Sequence, residues 1–398
     1  MKRKPKALIL TYCFPPYPSP ESFITTKFLC GISKEFDIDV ITFEYLKKKE
    51  FELDINHYYK SKLNVIRVPV PNIFQKILNL PRLPIRPDRF LLLNHIMKKK
   101  LKSIDLSKYD LFFTRSQFHS CHLLGLFLKK QKPRTPWISS YSDPWHDNPV
   151  QKKISILESL SKKYQDEVLR KSNLLIFPIP ELRDFYQNLV NFNLKDKSII
   201  TPHTYDSKLY SVKIAKNKVF TIRFFGKIYA NRNLLPFLES IKQLTKSGYK
   251  INVELYLDDE YLESHSKYLK MFKSFAKFKR YVNVLKCLEL MKKTTLLLLI
   301  DVDQNYGKIF FQSKLVDYIG SKNMILHLGK SNTFNKRLIL ENNGFSCQNN
   351  IKSITNTLKK IIKIQPKFKP NKKTLDKYKI ENVSKKFCKD IKRFLKNA

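Results

Sequence analysis

The sequence predicts an α/β protein of two doubly wound domains facing each other across a cleft. Three observations carry that expectation. Short apolar runs alternate with longer amphipathic stretches from end to end, the pattern of β-α units around parallel sheets. The length of 398 residues exceeds what one hydrophobic core usually serves, so two domains of about 200 residues each are expected. Between Ile200 and Lys218 the apolar periodicity lapses around Pro202, and the domain junction is placed there.

In the first domain, the runs Ala7 to Tyr12, Ile38 to Phe43, Asn64 to Val68, Asp110 to Thr114, Trp137 to Tyr141 and Asn173 to Pro178 are expected as buried strands of one sheet. Between them, Ser22 to Ser33 sets Ile24, Phe28, Leu29 and Ile32 on one helical face, and Ile154 to Lys171 is patterned alike. The loop Cys13 to Ser22 joins the first strand to its helix. It is dense in proline and ends at Ser22, which is read as the helix cap. In the second domain the strands are Phe220 to Phe224, Ile251 to Tyr256, Tyr281 to Leu285, Thr295 to Ile300 and Met324 to Leu328, again with helical stretches between them. The final segment, Lys372 to Lys396, reads as one helix, and no short fixed repeat runs through the chain.

An apolar content of 42% with 13% aromatic residues excludes a disordered polymer, although 28% of residues are charged. The formal charge of +42 comes from 76 basic against 34 acidic residues, and 62 of the basic ones are lysine and 14 arginine. A nucleic-acid reader leans on the bidentate arginine fork, so nucleic acid is not the expected partner. Lysine spread evenly beside abundant Ile, Asn, Phe and Tyr fits genome-wide drift. The alternative is a functional field that concentrates anionic lipid head groups, acidic glycans or substrate phosphates. The six cysteines are scattered without a C-x-x-C pair, so no zinc or redox centre is expected and a reduced, cytoplasmic compartment fits. The apolar run after the basic start Met1 to Lys6 is too short for a signal-peptide core, and no run reaches the roughly 18 apolar residues of a membrane span. The chain is expected to be soluble or peripheral.

In open parallel sheets chemistry collects beyond the carboxyl ends of the strands, where helix N-termini offer N–H groups to anions. The Cys13–Ser22 loop lacks glycine and so is no dinucleotide fingerprint, which argues against a dinucleotide oxidoreductase. It is read either as a stiff turn or as a wall of an acceptor site, with Ser19 and Ser22 on that side. The loop Ser139 to Pro149 gathers Asp143, Trp145, His146 and Asp147; aromatic plus carboxylate suits sugar binding, and capping or turn roles are the alternative for the two acids. His119 and His122 stand at i and i+3, but no third ligand is suggested nearby, so a core or loop role is expected and no metal. After the first strand of the second half, Gly226 permits a close turn, and Lys227 and Arg232 can clamp a diphosphate and neutralise charge on a leaving group. Gln312 to Gly320 would begin a helix, with Ser313 and Lys314 near its positive end and Asp317 placed to accept ribose hydroxyls; an ordinary exposed first-turn acid is the alternative.

At these loops the chain resembles the retaining glycosyltransferases of family four, which have the two-Rossmann-domain GT-B fold. The opening strand with Phe14-Pro-Pro16 is similar to the family's strand and phenylalanine-diproline loop, and Ser142-Asp-Pro-Trp145 is similar to the Asp-Pro-Trp motif of a bacterial surface-polysaccharide subgroup. Pro202 to Asp206 resembles the segment entering the second domain. Gly226-Lys227 with Arg232 resembles the Gly-Arg and Lys pair that binds donor phosphates, with the two cations exchanged, and Lys314-Leu-Val-Asp-Tyr318 resembles the Lys-x-x-Glu-Tyr helix whose acid holds the donor ribose. The chain departs from the family in three places. The first loop lacks Gly-Gly, the earlier acid of the E-x7-E pair is missing, and the Arg usual before Asp-Pro-Trp is Ser142.

The resemblance implies a nucleotide-sugar-dependent transferase that works with retention and without metal or cofactor. The acceptor domain would be residues 1–205, completed by the C-terminal helix 372–398, and the donor domain residues 206–371. Lys227 and Arg232 would stabilise the departing diphosphate, Gly226, Ser313, Lys314 and Asp317 would hold the donor, and Asp143 would act from the acceptor side with Ser19, Ser22, Trp145 and His146. The acceptor would be a glycan growing on a lipid carrier in surface polysaccharide synthesis. That would let the stretch Arg89 to Lys102 touch the anionic cytoplasmic face of the inner membrane. Rival expectations are a nucleotide-sugar epimerase of the same fold and a non-catalytic binding protein, either an inactive relative or a nucleic-acid binder.

Overall fold

The computed structural model describes residues 3–17, 19–44, 63–78, 80, 85–149, 155–210, 219–228, 232–301, 305–329, 332–364 and 369–397. The chain divides into two compact units, Met1–Thr204 with Ile380–Ala398, and Tyr205–Lys379. Three stretches to which the sequence assigns a place lie outside the described residues: position 154 at the start of a helix, 211–218 in the junction, and 229–231 in the loop after Gly226.

The first unit is built on strands β1 (Lys6–Thr11), β2 (Asp37–Glu44), β3 (Asn64–Pro69), β4 (Leu111–Arg115), β5 (Trp137–Ser140), β6 (Leu174–Phe177) and β7 (Ser198–Ile200). Among the described residues they form one parallel sheet in the order β3-β2-β1-β4-β5-β6-β7. Its helices are α1 (Pro20–Ile32), α2 (Asn72–Leu78), α3 (Asn94–Lys102), α4 (Ser120–Gln131), α5 (Ser155–Lys171) and α6 (Pro180–Asn188). The central strand β1 pairs Ala7 with both Ile38 and Leu111, so its apolar residues are covered on both faces.

The second unit holds β8 (Phe220–Phe225), α7 (Leu235–Lys246), β9 (Ile251–Leu257), α8 (Asp259–Ser264), α9 (Ser266–Lys270), β10 (Lys277–Arg280) and α10 (Val284–Lys292). It continues with β11 (Leu296–Ile300), α11 (Lys314–Gly320), β12 (Met324–Leu328), α12 (Phe334–Glu341), β13 (Phe345–Cys347), α13 (Ile351–Ile364) and α14 (Lys372–Tyr378). Its parallel sheet runs β10-β9-β8-β11-β12-β13. Leu296, Leu298 and Ile300 alternate into a core closed by Phe237, Leu238 and Ile241 of α7 and by Ile354, Leu358 and Ile361 of α13. Each such side chain contributes about 1.5–3 kcal/mol by burial.

The last helix, α15 (Ile380–Asn397), belongs to the first unit. Phe387, Cys388 and Ile391 enter the core with Phe28, Leu29 and Ile32 of α1, and Phe28 meets Phe387 edge-on at 4.9 Å. Gly31 makes that approach possible, because a Cβ there would collide with Ser384 and Ile380.

Three readings of the sequence are corrected, and two strands are added to it. Ser22 is not the cap of α1: Ser19 is, its hydroxyl accepting from the Ser22 N–H at 3.1 Å, and Pro20 at the first helical position needs no N–H partner. Tyr281 to Leu285 is not a strand. The strand is the preceding Lys277–Arg280, a charged sheet edge without an apolar run to betray it, and Asn283 caps α10 by accepting from the Lys286 N–H at 2.8 Å. The final segment is two helices, broken where Lys379 turns extended (ψ 132°) and bridges Tyr205. Strands β7 and β13, three residues each and half-buried, escape the sequence reading because no periodicity survives in so short an edge.

Candidate functional site

Strand order reverses direction between β8 and β11 in the second unit, and doubly wound sheets take ligands outside the carboxyl ends at such a point. The residues leaving β8 and entering α11 meet there. Gly226 has φ 129°, a left-handed conformation that a side chain resists, and a Cβ on it would lie 2.9 Å from Lys314 Nζ. The open space at Gly226 is what admits the lysine. Lys314 donates to the Phe225 carbonyl at 3.0 Å and lies 4.3 Å above the Phe224 ring. Burial pushes its amine well below the usual lysine range; the Arg232 guanidinium adds to that shift and the Asp301 carboxylate opposes it. Arg232 in turn donates to the Lys227 carbonyl at 3.3 Å and is buried, whereas Lys227 itself is exposed. Thus Gly226, Lys314 and Arg232 come together, with Lys227 joined through its backbone.

Ser313 precedes α11 without a side-chain capping bond. Asp317 sits in the first turn and is buried, its Oδ1 accepting from the Tyr210 hydroxyl at 3.2 Å. It is not the ordinary exposed acid that was the alternative reading. Its charge and, more strongly, burial raise the neighbouring Cys287 thiol to about 12. Tyr318 accepts from the Phe225 N–H at 3.2 Å, which fixes α11 to the end of β8.

Beneath this group lies a network that sequence reasoning missed. Asp301, directly after β11, accepts from Gln312 at 3.1 Å on one carboxylate oxygen and from Asn335 at 3.2 Å on the other. His327 Nε2 stands 3.2 Å from that second oxygen, and its far ring nitrogen lies 2.9 Å from the Ser346 hydroxyl. No spacing in the sequence signals residues drawn from separate β-α units.

In the first unit the reversal falls between β1 and β4. There Arg115, at the end of β4, is ion-paired with Glu21 of α1 at 3.0 Å and donates to Thr25 at 3.0 Å and Ser140 at 3.2 Å. Neither Glu21 nor Arg115 stands out in the sequence; both are buried, and their types are too common in helices and strands to draw notice. Burial raises Glu21 to about 7 against the opposing pull of Arg115. Asp143 is raised to about 6 by burial, partly offset by the Gln117 amide that donates to it. Ser19 and Ser22 face each other at 3.0 Å through their hydroxyls, and Ser22 is wholly buried.

The Asp143 loop departs from its sugar-stacking reading. Trp145 is 3% exposed, stacks on His119 at 5.2 Å and on His122 at 5.9 Å, and donates to Ser161 at 3.1 Å. A ring so covered has no face for a sugar. His119 contacts the Pro144 carbonyl at 3.2 Å and His122 contacts Thr114 at 2.8 Å, so both are packing residues, and burial lowers His119 to about 4. His146 is tied inward as well: its backbone N–H donates to Gln165 at 2.9 Å and its ring stands 3.5 Å from Glu158. Among the described residues no group of His, Cys, Asp or Glu could hold a metal ion.

No family model matches the chain, and no curated protein matches it in sequence. Solved structures do match it in shape. Sucrose-phosphate synthase from Thermosynechococcus elongatus superposes with a TM-score of 0.71 at 10% identity, covering 100% of both chains. Anabaena HepE, solved in complex with UDP-glucose, gives 0.66 at 11% identity over 98% of this chain and 99% of that one. The chain has the GT-B glycosyltransferase fold. A UDP-N-acetylglucosamine 2-epimerase from Listeria monocytogenes also matches, with a TM-score of 0.60 at 10% identity over 100% of this chain and 98% of that one. Among the described residues no helix is long and apolar enough to cross a membrane.

Proposed function

We propose that the chain is a glycosyltransferase that takes a nucleotide-sugar donor on its second unit and a glycan or lipid-linked acceptor on its first. The observation that carries this reading is the convergence of Gly226, Arg232 and Lys314 at the β8–β11 reversal, one helical turn from Asp317. A buried guanidinium and a half-buried amine beside a backbone without a side chain suit a diphosphate, and an acid one turn on suits ribose hydroxyls. The neighbour solved with UDP-glucose supports the same ligand class.

In this reaction the glycosidic bond to the diphosphate breaks while the acceptor hydroxyl attacks the anomeric carbon. Negative charge grows on the leaving diphosphate, and Lys314, Arg232 and the exposed Lys227 stabilise it. Asp317 orients the donor through its ribose. Asp143 acts from the acceptor side; raised to about 6, it is mostly ionised at neutral pH and accepts a hydrogen bond from an incoming hydroxyl. Retention, independence from metal, a place in surface polysaccharide synthesis and residence on the cytoplasmic face of the inner membrane complete the proposal.

The test is thermal unfolding of the purified chain with UDP, GDP, ADP, CMP and their common sugar conjugates, followed by release of free nucleotide with and without acceptor extracts. A ligand that binds only the folded state raises the melting temperature. Stabilisation by one nucleotide family that disappears in Arg232→Ala and Asp317→Ala supports the reading; no stabilisation by any of them at millimolar ligand overturns it. The second reading, an epimerase, rests on the Listeria neighbour. It requires sugar interconversion without any acceptor.

A further inference from the structure

Helix α2 follows the edge strand β3 and buries none of its residues. Ile73 is 62% exposed and Leu80, just past the helix, 50%; with the half-buried Ile77 they recur at i, i+4 and i+7, so three aliphatic side chains form one uncovered stripe. The helix is nevertheless held in place. The Gln75 amide donates to the Val70 carbonyl at 2.7 Å, and the Arg89 guanidinium donates to the Leu78 carbonyl at the far end. The turn Arg89–Leu93 packs on both α2 and α3. In α3, Asn94, Met97 and Leu101 face inward, and His95, Lys99 and Lys102 are exposed at i, i+4 and i+7.

We propose that α2, the turn Arg89–Leu93 and the outer face of α3 form a docking surface for an anionic lipid membrane, with Ile73, Ile77 and Leu80 entering the apolar layer and Lys76, Arg89, Lys99 and Lys102 meeting the head groups. Charge complementarity identifies the occupant. From Pro71 to Ile104 the sequence holds eight Lys or Arg against one acid, whereas the whole chain holds 76 against 34. That acid, Asp88, is turned inward, accepting from the Ser120 N–H at 2.8 Å and from its hydroxyl at 2.6 Å. Among the described residues, Arg86 is the one cation of the stretch with an acid partner, Glu158 at 2.9 Å. Such an excess draws negatively charged lipid, about fivefold in affinity for each cation at the surface. Nucleic acid would answer the same charge, but it calls for exposed rings on which bases stack, and the exposed apolar groups here are aliphatic. The stretch Arg89 to Lys102 alone lacks this apolar element, because Phe90, Leu93, Met97 and Leu101 are buried; α2 supplies it from outside that stretch.

The surface is joined to the acceptor side of the first unit. Phe90 stacks on Phe118 at 4.1 Å, Asp88 fixes the start of α4, and Gln117, next to Phe118, donates to Asp143. A lipid-borne acceptor would thus be presented at the end of the sheet where Asp143 stands. That use rests on the transferase reading above and gives its membrane residence a surface; binding to lipid does not depend on it.

The test floats the full chain with vesicles of phosphatidylcholine alone and of phosphatidylcholine mixed with phosphatidylglycerol. Binding is expected to the mixed vesicles alone and to fall with added salt. Lys99→Ala with Lys102→Ala should weaken it about tenfold or more, whereas Lys385→Ala with Lys389→Ala, two exposed cations of α15, should leave it within about twofold. Ile73→Ser with Leu80→Ser should weaken it about tenfold, and because both positions are exposed the fold is kept. Trp137 and Trp145 are buried, so Ile73→Trp is an exposed reporter whose emission should shift to the blue on the mixed vesicles and be shielded from acrylamide. No binding to mixed vesicles, equal losses from the α3 and α15 pairs, an Ile73→Trp emission unmoved by vesicles, or full binding by the chain with Ile73→Ser and Leu80→Ser overturns the proposal. Binding of a duplex oligonucleotide that is lost with Lys99→Ala and Lys102→Ala while vesicle binding is not would overturn it in favour of nucleic acid. Nucleotide stabilisation of these variants should equal that of the original chain. Failure of lipid binding therefore leaves the donor reading standing, and failure of nucleotide binding alone leaves the surface standing.

Discussion

Lys314→Met separates a binding lysine from a structural one. Methionine matches the stem in length and removes only the amine and its bond to the Phe225 carbonyl, 3.0 Å away. A charge-assisted bond from such an amine to a phosphate oxygen contributes about 1.5–3 kcal/mol, so nucleotide diphosphates should bind about 10- to 150-fold more weakly. Stability should move little or in the opposite direction. The folded amine is held well below its unfolded value, so as pH falls through the unfolded lysine range the unfolded chain takes up a proton that the folded unit resists, and stability is lost. At pH 7.5 the substitution removes that penalty while giving up one hydrogen bond, and the melting temperature is expected within about 4 °C of the original. Calorimetric titration with the nucleotide identified by thermal shift, alongside unfolding scans, reads both quantities. An affinity unchanged within about twofold, or a fall in melting temperature beyond about 8 °C, would show that Lys314 supports the fold and not the ligand.

If Asp317 takes the ribose as proposed, Asp317→Asn should weaken nucleotides about tenfold or more and leave inorganic pyrophosphate binding unchanged; titration with both ligands checks it. Arg115→Met removes the cation from Glu21, which can then take up a proton, and should cost about 1–3 kcal/mol, whereas Arg115→Met with Glu21→Leu should recover most of it, as denaturant midpoints would show. Glu21 holds its proton up to about 7 when folded against 4.5 for an unperturbed glutamate, so the folded chain binds more protons between those values and loses about 3 kcal/mol as pH rises across them. Glu21→Gln should abolish that slope, measured as stability at pH 4.5 and pH 7.5. Gly226→Ala should lower stability by about 1–2 kcal/mol through its φ of 129° and displace Lys314, so that nucleotide binding falls with it.

The parallel core was legible because β1, β4, β8 and β11 are buried on both faces and therefore read as unbroken apolar runs. Edge strands lack that signature, and β10, with lysine and arginine at three of its four positions, was displaced in the reading to the apolar residues that begin α10. Glycine and charge in the loop after β8 made Gly226 and Arg232 visible, and the structure sets Lys314 beside them from a β-α unit far along the chain. Trp145 shows the opposite case. Aromatic and acid in one loop suggest a sugar platform, but exposure decides that role, and exposure is set by His119, His122 and Ser161 from other elements. Glu21 and Arg115 were invisible for the same reason: an ordinary first-turn acid and an ordinary strand-end arginine become a buried pair only when β1 and β4 lie side by side.

The stretch from Phe310 to Gln312, which leads into α11, is held by side-chain amides. Asn335 donates to the Phe310 carbonyl at 3.2 Å and accepts from the Gln312 N–H at 3.1 Å, while the Gln312 side chain reaches back to Asp301. Asp301 is 1% exposed and engaged on both oxygens, so its charge is spent on order and is not offered to a ligand. It also acts on Lys314, opposing the loss of that lysine's proton. Asp301 thus keeps the approach to α11 in shape from a buried position, through side-chain amides. Under the proposed function, donor recognition would rest on the cations Lys227, Arg232 and Lys314 for the diphosphate and on Asp317 for the ribose.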